Sequence, residues 1–193
     1  MDKKKKHMNI TVYCGASTGN ESVYTDAAVE LGTWIAENGH TLVYGGGKAG
    51  LMGIVSNAVL ENGGQVIGII PQFLQERELA HEGLTKLQVV STMAERKNAM
   101  FEYANAFIAL PGGPGTLEEI TEMISWARIG QNPNPCILLN TAGFYDPLRD
   151  LYDGMVATGF LTEADRQHTL FSQSLSEIDE FIQTYMPPTP RSY

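Results

Sequence analysis

Between residues 106 and 119 the chain reads Ala-Phe-Ile-Ala-Leu, then Pro-Gly-Gly-Pro-Gly, then Thr-Leu-Glu-Glu. The first five residues form a buried-strand run, and from Thr116 to about Ile129 apolar residues recur at helical spacing. A strand, a glycine turn and a helix start therefore meet within a short stretch. Such a junction turns backbone N–H groups and the positive end of a helix dipole toward an anion. Gly112, Gly113 and Gly115 let the backbone approach a ligand where a side chain would stand in the way. Glu119 is expected in the first helical turn, facing the reacting bond of a phosphate-bearing ligand held by the loop.

The rest of the chain repeats this grammar. β-Branched and apolar runs at 9–14, 41–44, 65–70, 87–90 and 136–139 read as further strands. Helical periodicity falls at 22–37, 51–61, 93–103, 146–156 and 175–185, with a helical turn at 73–78. Strands alternating with helices imply an α/β fold: a doubly wound, mostly parallel β-sheet with helices on both faces. Residues 9–186 are expected to form a single domain between an N-terminal tail, 1–8, and a C-terminal tail, 187–193. In such sheets ligands bind beyond the carboxyl ends of the strands, at a topological switch point. Glycine loops close three strands there, at 15–19, 45–50 and 112–115. Three at one rim suggest a nucleotide-sized cleft.

Composition narrows the partners. With 193 residues, 43% hydrophobic and 18% charged, the chain can bury a sizeable core. A net charge of −9 argues against nucleic-acid binding, which needs a basic face, and Lys3 to Lys6 read as a solvated tail. No apolar run approaches the roughly 20 residues that span a bilayer, so no membrane partner is expected. Cys14 and Cys136 lie in strand-like runs without metal spacing, as buried thiols in a reducing cytoplasm do.

Several chemistries fit poorly. A dinucleotide fingerprint should follow the first strand, with an acidic residue ending the second; here the second strand ends at Tyr44. Gly46-Gly47-Lys48 is followed by Ala49, so a P-loop would lack its Mg²⁺-binding hydroxyl. His7, His40, His81 and His168 share no ligand spacing, and no metal or cofactor is expected. Gly15-Ala16-Ser17-Thr18-Gly19 matches a nucleophile elbow in letters, but no histidine is identified to activate Ser17. Its hydroxyl serves a phosphate or the turn backbone. Glu95-Arg96-Lys97 could be a solvated helix face. Arg96, though, offers a planar fork to an anion or a purine edge, and Glu119 a carboxylate. An arginine and a glutamate without nucleophile or metal suit cleavage of an N-glycosidic bond, whose transition state has oxocarbenium character.

Pro111-Gly112-Gly113-Pro114-Gly115-Thr116-Leu117-Glu118-Glu119 resembles the PGGxGTxxE motif of the LONELY GUY (LOG) proteins, and Met93-Ala94-Glu95-Arg96-Lys97 resembles the family's Arg-Lys motif. Tyr13–Ser17, Tyr44–Gly47, Gly50–Gly53 and Phe144–Leu148 add matches. These proteins are cytokinin riboside 5′-monophosphate phosphoribohydrolases, often mislabelled lysine decarboxylases. The resemblance implies a Rossmann-like fold, a homodimer with active sites near the subunit interface, and a nucleoside monophosphate substrate. It implies hydrolysis of N6-modified adenosine 5′-monophosphates, and of AMP, to free base and ribose 5-phosphate. By motif position it implies a catalytic pair, Arg96 and Glu119, and a 5′-phosphate site at Gly112, Gly113, Gly115 and Thr116. Gly15, Ser17, Gly47, Met93 and Lys97 are implied to line the nucleotide cleft. Departures from the family pattern fall at Pro114, which removes one loop N–H, and at Arg128 and 131–135, expected near the base pocket. The rival from another class is a non-catalytic nucleotide or molybdenum-cofactor carrier, which would have no need of the Arg96/Glu119 pair. A decarboxylase would require a pyridoxal lysine, and no lysine here sits in such a context.

Overall fold

A computed structural model describes residues 6–77 and 80–190. Seven strands lie in one sheet: β1 (Asn9–Tyr13), β2 (Thr41–Tyr44), β3 (Gln65–Pro71), β4 (Lys86–Val90), β5 (Ala106–Ala109), β6 (Cys136–Leu139) and β7 (Thr169–Ser172). Their spatial order is β4-β3-β2-β1-β5-β6-β7, and each neighbouring pair is parallel. The chain winds outward from β1 to β4, then returns to place β5 on the other side of β1, with Tyr13 opposite Ala109. The switch point is therefore the β1/β5 crevice. The glycine loops after both strands open onto it.

Because side chains alternate along a strand, a sheet covered on both faces needs apolar residues at every position. Ile10, Val12, Leu42, Tyr44, Ala106, Ile108, Ile137 and Leu139 point to one core. It is closed by α1 (Ser22–Glu37), α2 (Gly50–Glu61) and α8 (Leu175–Thr184). Tyr13, Val43, Phe107, Ala109, Cys136 and Leu138 point to the other, closed by α4 (Met93–Tyr103), α5 (Pro114–Arg128) and α6 (Asp146–Ala157). Both cysteines are free and buried, and burial pushes the Cys136 thiol up to about 12. Among the described residues no helix is long and apolar enough to cross a membrane.

Three expectations need correction. The strand β7 and the short α7 (Glu163–Arg166) were not anticipated from the sequence: Thr-Leu-Phe-Ser is too brief and too mixed to stand out, and an edge strand need not be apolar on both faces. The turn expected at 73–78 is α3 (Gln72–Gln75), and Glu78 lies outside the described residues. Finally, α5 begins at Pro114 rather than Thr116. Proline is favoured in the first helical turn because its φ is already helical and the N–H it lacks has no acceptor there. The loop residue that departs from the family motif thus starts the helix, and Glu119 falls in the second turn instead of the first.

Candidate active site

The rim is held together by backbone packed against backbone. Gly15 N donates to Pro111 O at 3.1 Å, and Leu110 N to Tyr13 O at 2.9 Å, which locks the loops after β1 and β5 side by side. Leu51 N donates to Gly15 O at 3.1 Å, adding the loop after β2. A Cβ on Gly112 would overlap Thr116 Oγ1 and lie 2.9 Å from Gly15 N; one on Gly50 would overlap the Ala16–Ser17 peptide. These two glycines are needed for close approach. Gly113 and Gly115, by contrast, face open space.

Gly113 is the N-cap of α5 and has no side chain to cap it. The first-turn N–H groups, those of Gly115 and Thr116 among them, have no acceptor within the helix and face outward with the positive end of its dipole. Beside them lies a cleft of about 470 Å³ lined by Gly15–Gly19, Tyr24, Leu51, Pro111–Gly113 and Phe144. Ser17 Oγ accepts from Gly19 N at 3.2 Å, so its hydroxyl shapes the turn while its proton stays available to a ligand. The wall comes from the segment after β6. Tyr145 OH donates to Leu110 O at 2.7 Å, Tyr145 N donates to Asn140 Oδ1 at 2.7 Å, and Phe144 meets the Tyr24 ring edge-on. In the sequence Phe144 and Tyr145 stand out only as matches to the family, and Tyr24 only as part of a helix. No spacing rule ties them to the cleft, because the fold alone brings 24, 110 and 145 together.

Arg96 and Glu119 approach from α4 and α5. α4 begins with a reciprocal cap: Thr92 Oγ1 accepts from Glu95 N at 3.1 Å, and Glu95 Oε2 accepts from Ser91 N at 2.8 Å. That fixes the first turn carrying Arg96. Arg96 Nη1 stands 3.8 Å from Glu119 Oε1, and the two side chains are only 12% and 11% exposed. Burial pushes the Glu119 carboxyl above the ordinary glutamate value, and the Arg96 charge offsets part of that. Met93, half exposed, sets its sulfur 3.9 Å from Arg96 Nη1. Lys97 turns to α5, with Nζ 2.5 Å from Glu118 Oε1 and 3.0 Å from Glu122 Oε2. These partners raise its pKa. Gly47 O accepts from Tyr44 OH at 3.1 Å in the loop that Gly50 joins to the rim. The predicted residues therefore fall into a cleft group (Gly15, Ser17, Gly112, Gly113), a first-turn group (Gly115, Thr116) and a charged pair with Met93 beside it. Lys97 braces α4 to α5.

The other departures from the family pattern lie elsewhere. Arg128 ends α5, at the amino-end rim of the sheet, paired with Asp165 at 3.3 Å. Asn132 is buried, donating to Met123 O at 3.0 Å and accepting from Asn134 N at 2.9 Å. Within one chain this segment is a structural turn at the far end of α5, not a wall of the rim cleft.

A family model described as "Possible lysine decarboxylase" matches residues 52–182. The cytokinin riboside 5′-monophosphate phosphoribohydrolase LOG of Oryza sativa subsp. japonica is 45% identical over 96% of this chain and 77% of its own length. The chain belongs to the LOG family. LOG1 of Arabidopsis thaliana, a phosphoribohydrolase of the same name, is 42% identical over 97% of this chain and 88% of its own. Solved structures share the LOG chain's fold at lower identity. The structural-genomics target TM1055 superposes with a TM-score of 0.71 at 24% identity, covering 92% of this chain and 99% of that one. The molybdenum cofactor binding protein of Rippkaea orientalis gives 0.68 at 19%, covering 93% and 98%. At such identity the likeness concerns the Rossmann-like fold alone.

Proposed function

We propose that this LOG-family protein hydrolyses the N-glycosidic bond of N6-modified adenosine 5′-monophosphates, and of AMP, to free base and ribose 5-phosphate. The observation that carries this reading is the buried Arg96–Glu119 pair on α4 and α5, the latter starting with no side chain to cap its first N–H groups. The 5′-phosphate sits on the N–H groups of Gly113, Gly115 and Thr116, supplying positioning energy remote from the reacting bond. The bond between C1′ and the base nitrogen breaks, and the base leaves with the electron pair and takes a proton. Water adds its oxygen to C1′ and gives up a proton. The ionised Glu119 stabilises the positive charge that develops on the ribose ring, and Arg96 keeps that carboxylate ionised and oriented. Gly15 and Ser17 hold the nucleotide from the rim cleft, Gly47 and Met93 meet it from the side of the Arg96–Glu119 pair, and Lys97 lines that side from behind Arg96.

The curated relatives named as phosphoribohydrolases support this reading. A carrier of the same fold would have no use for two charges buried against each other. We further propose that the chain from 9 to 186 works as one domain, in the cytoplasm and as a homodimer. Met93 on α4 and Leu117 on α5, both exposed and apolar, flank the pair and support a subunit contact there.

The test is a panel of adenosine and N6-isopentenyladenosine, each as riboside, monophosphate and triphosphate, with products separated by chromatography. The monophosphates are expected to release free base and ribose 5-phosphate. Turnover at background on every monophosphate would overturn the reading. Light scattering in solution checks the dimer.

A further inference from the structure

The triple glycine after β2 contains one residue whose lack of a side chain the backbone does not explain. Gly46 has φ +76°, a conformation that favours glycine, but Gly45 is not among the residues with positive φ. An alanine could adopt the backbone of Gly45. What it would displace is Arg96: a Cβ on Gly45 would overlap Arg96 Nη2 and lie 2.9 Å from Cζ and 3.4 Å from Nε. The guanidinium rests on the bare Cα of Gly45, and among the described residues its buried Nε has no hydrogen-bond partner. Packing, not hydrogen bonding, holds this part of the side chain.

The loop cannot give way to make room. Tyr44 OH donates to Gly47 O, His81 N donates to Gly46 O at 3.0 Å, and a Cβ on Gly68 in β3 would come within 2.9 Å of Gly46 Cα. The loop is pinned on both flanks, so any side chain at 45 must be accommodated by Arg96. From these contacts we propose that Gly45 is a positioning residue, the seat that holds the Arg96 guanidinium against Glu119. This rests on the hydrolase reading above. It also gives the YGGG run two separate duties, since Gly46 serves the turn and Gly45 serves the arginine. A chain of this fold with a side chain at 45 keeps its phosphate loop and misplaces its catalytic pair. It binds the nucleotide and turns it over slowly.

The experiment compares wild type, Gly45→Ala, Arg96→Lys and the double variant, reading kcat and KM with AMP and the thermal midpoint of each. Displacing a reacting group by about an ångström costs on the order of 100-fold. Gly45→Ala is expected to lose about that factor in kcat, with KM little changed. Lysine lacks the Nη2 that the new methyl would strike, so the double variant is expected to match Arg96→Lys in both turnover and thermal midpoint. Three results would overturn the proposal. One is Gly45→Ala turning over like wild type. Another is the methyl costing the lysine variant as much kcat as it costs wild type. The third is a drop in midpoint that persists in the double variant, including failure of both to fold, since position 45 would then need glycine for reasons other than Arg96. A silent wild type would instead count against the hydrolase reading, and the four thermal midpoints would still decide whether the methyl acts through Arg96.

Discussion

At its first turns α5 faces glycines, open space and two buried charges. At its last turn, about 20 Å away by helix geometry, it faces asparagines whose polar atoms are taken up inside the chain. At the carboxyl-end rim burial holds the Glu119 carboxyl above its ordinary pKa even with Arg96 3.8 Å away, and among the described residues Arg96 Nε has no hydrogen-bond partner. At the amino-end rim Asn132 donates to Met123 O and Cys136 Sγ and accepts from Asn134 N, while Asn134 Nδ2 donates to Ala104 O. One end is left under-satisfied and open, as a site that must receive a charged ligand has to be. The other is closed, and its polar side chains serve the fold. The two ends of one helix thus separate polar residues that serve the fold, Asn132 and Asn134 just beyond it, from the buried Glu119 that the fold holds at a cost.

The largest effects are expected at the open end. Gly112→Ala drives a methyl into Thr116 and Gly15, so the loop can no longer close on a phosphate. We expect kcat/KM for AMP to fall by at least about 100-fold while circular dichroism stays native; wild-type kinetics would show that the loop does not bind the 5′-phosphate. Next comes pH. Glu119 takes up its proton at a higher pH than an ordinary glutamate, because burial disfavours its charge. Turnover should therefore fall on acidification in a window above the ordinary glutamate range. An acid limb no higher than that of a free glutamate would contradict the assignment.

The same shift has a consequence for stability, with the opposite sign. The folded protein holds this proton more tightly than the unfolded chain does, so stability is lost as pH rises from the ordinary glutamate value through the folded one. Glu119→Gln should consequently raise the urea midpoint at neutral pH, and the gain should shrink as the pH falls into the ordinary glutamate range. An unchanged or lowered midpoint at neutral pH would mean that the carboxylate is not held at a cost. At the closed end, Asn132→Ala strands buried backbone and amide partners and should cost about 1–3 kcal/mol of stability, leaving turnover per folded molecule unchanged. Loss of turnover there would erase the contrast between the two ends. The smallest effect belongs to Arg128→Ala, which opens one partly exposed ion pair and should cost less than about 1 kcal/mol in urea unfolding.

The sequence makes the open end easier to read than the closed one, for a physical reason. A strand that ends in glycines at a helix start has a local pattern, so the glycine loop and the doubly wound sheet are both visible in the order of residues. The Arg96–Glu119 meeting depends on two helices on one face of the sheet. It was reached from residue chemistry and from motif resemblance, not from spacing. Pro114 reads in the sequence as the loss of a loop N–H, and in the structure it is the first residue of α5. Arg128 and 131–135 are expected near the base pocket only as departures from the family pattern. Within one chain a parallel sheet sends the end of α5 to the rim opposite the glycine-loop cleft. β7 escaped notice because four mixed residues at an edge carry no periodicity, and the seat of Arg96 on Gly45 because nothing in the letters distinguishes one glycine of three.

The central claim is that this loop holds a nucleoside monophosphate while Glu119 drives cleavage of its glycosidic bond. Wild type and Glu119→Gln should be compared for release of ribose 5-phosphate from AMP and, by calorimetry, for AMP binding. The account predicts that the glutamine variant binds AMP about as tightly as wild type and turns it over roughly 100- to 1,000-fold more slowly. A glutamine variant that hydrolyses AMP at the wild-type rate would contradict it.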